Sequence, residues 1–235
     1  MQFFSYLING ISLGSVYALI ALGYTMVYGI AKMLNFAHGD VIMIGSYVVY
    51  FAFGASGLNP VLSIVLSMIV CTILGVVIER LAYRPLREAP SLAVLITAIG
   101  VSYLLQQVAQ LSWSSNPKSF TSVVSGMKPV SLFGGQLTIS AETIVTIVAC
   151  VVIMVVLMWF VNYTPAGHAM LAVSEDRGAA QLMGVNVNGT ISLTFAIGSA
   201  LAAIAGALLC SSYPTLQPTT GAMPGIKAFV AAVFG

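Results

Sequence analysis

Long apolar runs separated by short polar connections dominate the chain. They lie at Phe4–Ile30, Val41–Phe53, Pro60–Ile78, Leu92–Leu111, Ala141–Val161 and Ile191–Cys210, and a seventh opens near Pro224. About 20 helical residues cross the ~30 Å hydrocarbon core of a bilayer, and most of these runs approach or exceed that length. Backbone amides find no water in lipid, so each run is predicted to be a helix that satisfies its own backbone. The two-residue alternation of an outer-membrane barrel is missing. The pattern predicts an all-α, polytopic transmembrane bundle.

Composition settles the solvent. Hydrophobic residues make up 59% of the chain and charged residues 6%, with a mean hydropathy of +1.03, where a soluble domain carries about 25% charged residues. The first run lacks the basic flank of a signal peptide and exceeds the roughly 7–15-residue apolar region of one, so it reads as a retained helix. Cys71, Cys150 and Cys210 fall within or at the end of apolar runs. An odd number of cysteines in lipid reads as small apolar side chains, not as a disulfide framework.

Lys and Arg near short loops stay on the cytoplasmic side. With the amino terminus outside, Lys32, Arg80, Arg84, Arg87 and Arg177 fall inside, Lys118 and Lys128 outside, and Lys227 just into the seventh run. That asymmetry predicts a periplasmic amino terminus. The longest outer connection, residues 113–140, is rich in Ser, Gly and Pro, and two short β-prone arms around Gly134-Gly135 predict a hairpin on the membrane surface. It would touch an external partner or form a solvated lid.

Lipid gives helices little hydrophobic reason to associate, so small residues that permit close backbone approach carry the packing. Gly10, Gly14 and Ala18 share one face of the first helix, and Gly198, Ala202 and Gly206 share one face of the sixth. Each face is expected against another helix, of this chain or of a second subunit. The many glycines also suit broken or re-entrant helices.

Asn35, His38, Gly39 and Asp40 follow the first run, where polar groups are costly without an interface, cavity or partner. One His and one Asp make too small a set for a metal, and no nucleophile stands near His38 for acid–base catalysis, so neither a metal site nor a catalytic residue is assigned. The structural expectation is that Gly39 permits a sharp turn, Asp40 caps the second helix, and Asn35 bonds freed backbone groups. The other is that the cluster lines or gates a polar pathway. Residues 163–190 form the largest inner connection, with a short helix predicted from about Gly167 to Met183 and closed by Gly184. Its charged set, Glu175, Asp176 and Arg177, lacks the basic excess of membrane-surface helices, which favours docking onto a protein.

Four segments in this order, Asn9–Leu19 (NGISLGSVYAL), Leu34–Asp40 (LNFAHGD), Glu79–Arg87 (ERLAYRPLR) and Ser174–Arg177 (SEDR), resemble LivH-type permease subunits of branched-chain amino-acid ABC transporters. The resemblance implies a coupling segment patterned Glu-Ala-Ala-x-x-x-Gly that docks on an ATPase. Residues Gly178, Ala179, Ala180 and Gly184 match that pattern, except that Gly178 stands at the acid's place and Glu175 lies one turn before it. His168 and Leu171 stand where the resemblance expects basic residues. It further implies a second permease subunit, two cytoplasmic ATPase subunits that use ATP, a periplasmic solute-binding protein, a bacterial inner-membrane location, and at least one helix beyond Gly235. No nucleic-acid partner and no cofactor bound by this chain are expected. The sequence contains no Gly-x-x-x-x-Gly-Lys-Ser/Thr loop to hold ATP. The alternatives are an ion-coupled secondary transporter, which would favour an internal repeat and buried carboxylates at related places, and a membrane-embedded enzyme using His38 and Asp40.

Overall fold

The computed structural model describes residues 2–87, 89–124, 130–132 and 137–234. Helix α1 runs Gln2–Ala31, and α2 runs His38–Val49 and continues as a π-helical segment, Tyr50–Ala55. Helix α3, Pro60–Ile78, passes through a second π segment, Glu79–Tyr83, into a 3-10 turn, Arg84–Leu86. There follow α4 (Ser91–Trp113), α5 (Ala141–Tyr163), α6 (Pro165–Glu175), α7 (Arg177–Leu182), α8 (Val187–Ser212) and α9 (Ala222–Phe234). Local sequence fixes several starts. The side chains of Asn59, Ser140, Thr164 and Asn186 accept amide hydrogen bonds at the openings of α3, α5, α6 and α8, and Pro60 and Pro165 fill first-turn positions that need no donor.

Among the described residues, five helices are long and apolar enough to cross a bilayer: α1, α3 with its extension, α4, α5 and α8. The run predicted at Val41–Phe53 behaves differently. Helix α2 is shorter and buried along most of its length. It starts beside Gly23, where a Cβ would lie 3.0 Å from the His38 ring. Gly23 is about 12 Å short of the end of α1 at ~1.5 Å per residue, so residues 32–37 carry the chain back into the bundle. Gly221 and Gly225 at the start of α9 press on Gly39. Helix α9 then runs beside α1, with Lys227 Nζ 3.1 Å from the Tyr17 hydroxyl and the Phe229 ring 6.0 Å from Tyr24. Two helices thus begin inside the bundle, back to back, which is the broken architecture the glycines predicted.

Helix α8 is the axis. It packs on α1, α2 and α3, and 72% of its apolar window is buried, against 11% for the peripheral α5. The two glycine stripes have different fates. Gly198 lies against α1 and Gly206 against α2, with Ala202 fully buried between them. Gly10 and Gly14 have no atom within 4 Å of a modest side chain, and Ala18 is exposed, so that face meets no helix among the described residues.

Strands β2 (Val130–Leu132) and β3 (Leu137–Ile139) form the expected antiparallel hairpin, paired Val130 to Ile139 through Leu132 to Leu137; its Gly134-Gly135 tip lies outside the described residues. A pairing not foreseen joins β1 (Lys118–Ser119) to β4 (Thr215–Leu216), tying the 113–140 connection to the link between α8 and α9. The single helix predicted over Gly167–Met183 is instead two. Asp176 is extended, and its carboxylate accepts the Gly178 and Ala179 amides at 2.7 and 3.0 Å, ending α6 and starting α7. Gly184, at φ +87°, closes α7 as predicted. All three cysteines are free and buried.

A side chain at Gly206 would meet the Ile42 carbonyl oxygen at 2.5 Å and the Ser46 hydroxyl at 2.7 Å. Gly206→Val is therefore expected to destabilise the subunit by about 1–3 kcal/mol or more through overpacking. Gly14→Leu is expected to leave its melting temperature unchanged. Thermal unfolding of the detergent-solubilised protein tests both, and equal effects would remove the distinction between the two stripes.

Candidate functional site

The polar cluster sits where α1 breaks and α2 begins. Lys32 takes a left-handed conformation at φ +51°, turning the chain away from the helix axis. The freed backbone is then met by side chains. Tyr24 Oη accepts the Asn35 amide at 3.3 Å, and the Tyr83 hydroxyl donates to Asn35 Oδ1 at 3.0 Å, so this one asparagine joins α1 and the end of α3 to the break. His38 is 1% exposed and stands edge-on to Tyr24 at 5.8 Å.

Two expectations about this cluster are corrected. Asp40 does not cap α2, whose first turn has no side-chain cap; its carboxylate turns sideways and accepts from Gln106 Nε2 on α4 at 2.9 Å, while the same amide reaches Ser102 Oγ at 3.2 Å. Gly39 does not provide a sharp turn either, since its φ is not positive. It is required because the backbone of Gly221 and Gly225 comes too close for a Cβ. Asn35, His38, Gly39 and Asp40 are thus brought together, all buried, as the anchor of α2. Tyr24, Tyr83 and Gln106, which hold them, were missed from sequence. Gln106, a polar residue in the middle of an apolar run, was the available signal.

A second polar assembly ties together the helix ends next to α6 and α7. Glu79 is fully buried, pairs with Arg87 and accepts from Ser192 at 2.6 Å, while Arg87 also reaches Asn188. Together they fasten the end of α3 to the start of α8. Arg177 donates to the Ala31 carbonyl at the end of α1. Partial burial, followed by the neighbouring charge of Arg87, lowers its pKa from the usual arginine value. Of the segment matched to a coupling pattern, Ala180 faces inward with Arg177, whereas Glu175, Asp176, Ala179 and Gly184 are exposed. Beside them Leu182 is 90% and Met183 84% exposed, a large apolar display outside any span.

Sequence comparison places this architecture. The model of branched-chain amino acid transport system permease components matches residues 6–235. The chain belongs to this family. It is 44% identical over 241 residues to the high-affinity branched-chain amino acid transport system permease protein BraD of Pseudomonas aeruginosa, covering 97% of this chain and 78% of the relative. Identity to the LivH permease protein of Escherichia coli K12 is 41% over 246 residues, covering 100% of this chain and 79% of that protein. The ribose import permease RbsC of Haemophilus influenzae is more distant, 27% identical over 231 residues. No solved structure gives a significant match. The chain is a multi-pass membrane protein of the permease class, and its relatives are transport proteins, not enzymes.

The Asp40 contact makes a specific demand. Gln106→Leu leaves a buried carboxylate without its donor and is expected to cost more than the ~1–3 kcal/mol of an ordinary unsatisfied polar group. The double variant Asp40→Leu with Gln106→Leu removes both partners and should recover much of that loss. Unfolding of the wild type, the two single variants Gln106→Leu and Asp40→Leu, and the double variant in detergent checks the coupling; additive losses would show that the two side chains do not depend on each other.

Proposed function

We propose that this chain is the membrane-spanning permease subunit of an ATP-driven importer of branched-chain amino acids or similar small amphipathic solutes, working by alternating access. The observation that carries the reading is the 41–44% identity to branched-chain amino acid permease proteins along essentially the whole chain, against 27% to a ribose permease. A P-loop is absent from the sequence, so ATP is hydrolysed on separate cytoplasmic subunits. Two such subunits, a second permease and an external solute-binding protein complete the system in the inner membrane. The exposed face of Gly10, Gly14 and Ala18 is a surface suited to the second permease.

The ATPase docks on α6 and α7. Support comes from Leu182 and Met183, apolar and outward beside Glu175, on two short helices linked to the core by Arg177 and Ala180. A push on α7 reaches the end of α1 through the Arg177 contact, and the adjoining Glu79–Arg87 assembly links the end of α3 to the start of α8. The break between α1 and α2 supplies the discontinuous helices on which such motions turn.

Gly184→Pro cannot adopt φ +87° and loses the amide that donates to the Gln181 carbonyl at 3.0 Å. It is expected to abolish uptake by the complete complex and release the ATPase, with insertion intact. Leu182→Glu and Glu175→Arg should weaken both more mildly. Co-purification and vesicle uptake measure these effects, and wild-type values for all three variants would remove the docking assignment.

The amino terminus is external and α6–α7 cytoplasmic, as the Lys and Arg asymmetry favours. In a background without the native cysteines, an impermeant maleimide applied to intact cells should label a cysteine at Asn116 and spare one at Gly178. The reverse labelling would invert the topology.

A further inference from the structure

At the end of the bundle opposite α6 and α7, a cavity of about 490 Å³ opens between α1, the start of α5 and the end of α8. Sites for small ligands typically occupy ~300–1,000 Å³. Its walls carry Asn9, Ser12, Glu142, Thr143, Ser211 and Tyr213, and Leu13 and Val16 supply an apolar side. We propose that this cavity receives the charged head of an α-amino acid, with the Glu142 carboxylate taking the ammonium group; this rests on the amino-acid reading above.

The charge distribution singles out Glu142. Among the acids in the described residues, Asp40 and Glu79 are buried and held by Gln106 and Arg87, and Glu175 and Asp176 lie at the other end of the molecule. Glu142 has only a neutral partner among the described residues, the Ser122 hydroxyl at 3.1 Å. A carboxylate on a polar cavity with no cation beside it among the described residues is matched by a cationic group that enters from outside.

The neighbouring groups complete a zwitterion's requirements. Glu142 lies in the first turn of α5, and Ser140 Oγ already takes the Thr143 amide. The helix's positive end therefore stands at the same wall, favourable to a carboxylate one carbon away from the ammonium. The Ser12 hydroxyl offers a further donor, and Leu13 and Val16 suit an aliphatic side chain. A ribose-type solute has no charge to use Glu142, so the site discriminates between the two classes of relative by chemistry.

The rival role for Glu142 is to hold the 118–124 loop through Ser122, and the two roles predict different variants. In the complete complex reconstituted in vesicles, Glu142→Gln is expected to lower leucine uptake about tenfold, the scale of losing one charge-assisted hydrogen bond. Ser122→Ala should stay close to wild type. In a background without native cysteines, Glu142→Cys should be inactive, restored by a sulfonatoethyl methanethiosulfonate and not by its neutral methyl counterpart. Assembly of each variant is checked by co-purification of all subunits. Wild-type uptake by Glu142→Gln, an equal loss in Ser122→Ala, or rescue by the neutral reagent overturns the proposal. Failure of the wild-type complex to move leucine, isoleucine or valine with ATP overturns the amino-acid reading instead, which the variants alone do not touch.

Discussion

The contact of α8 with its neighbours through bare backbone governs this structure. Gly45 meets Ala203 so closely that a Cβ would stand 2.8 Å from its Cα, and a Cβ at Gly198 would stand 2.9 Å from the Val27 side chain and 3.0 Å from the Gly23 carbonyl oxygen. In water, larger apolar side chains would bring helices together by burying area. In lipid that gain is largely absent, and dispersion between closely spaced backbones takes its place. Small residues along α8 are what allow α1, α2 and α3 to surround one axis.

Close packing leaves little room for irregular backbone, yet two helices start inside the bundle. The break before α2 survives because its polar groups are met: Tyr24 and Tyr83 converge on Asn35, and Gln106 reaches Asp40. Irregular backbone at membrane depth is tolerated where protein satisfies it. The Gly39, Gly221 and Gly225 contact lets the two interior helix starts share one position.

The two ends of the bundle differ in chemistry. One presents Leu182 and Met183, exposed on short helices tethered by Arg177. The other presents a hydroxyl-lined cavity that carries the Glu142 carboxylate. Between them lies a packed core in which the polar groups of Asn35 and Asp40 are held by side chains of neighbouring helices.

Much of this was legible in the chain itself. Apolar runs marked α1, α3, α4, α5 and α8 to within a few residues, because a bilayer demands about 20 consecutive apolar residues whatever the tertiary arrangement. Gly184 was readable as a helix end, since a left-handed position favours glycine locally. What sequence left open depended on neighbours far along the chain. Asp40 bonds a residue 66 positions away, which no local pattern encodes, and Gly39 serves a close approach of two distant glycines where a turn was expected. Asp176 divided one predicted helix into two because its side chain competes for the backbone amides ahead of it. Two stripes of the same spacing also diverged, one buried on α8 and one bare on α1. Periodicity determines which residues share a face, and only the packed structure determines what that face meets.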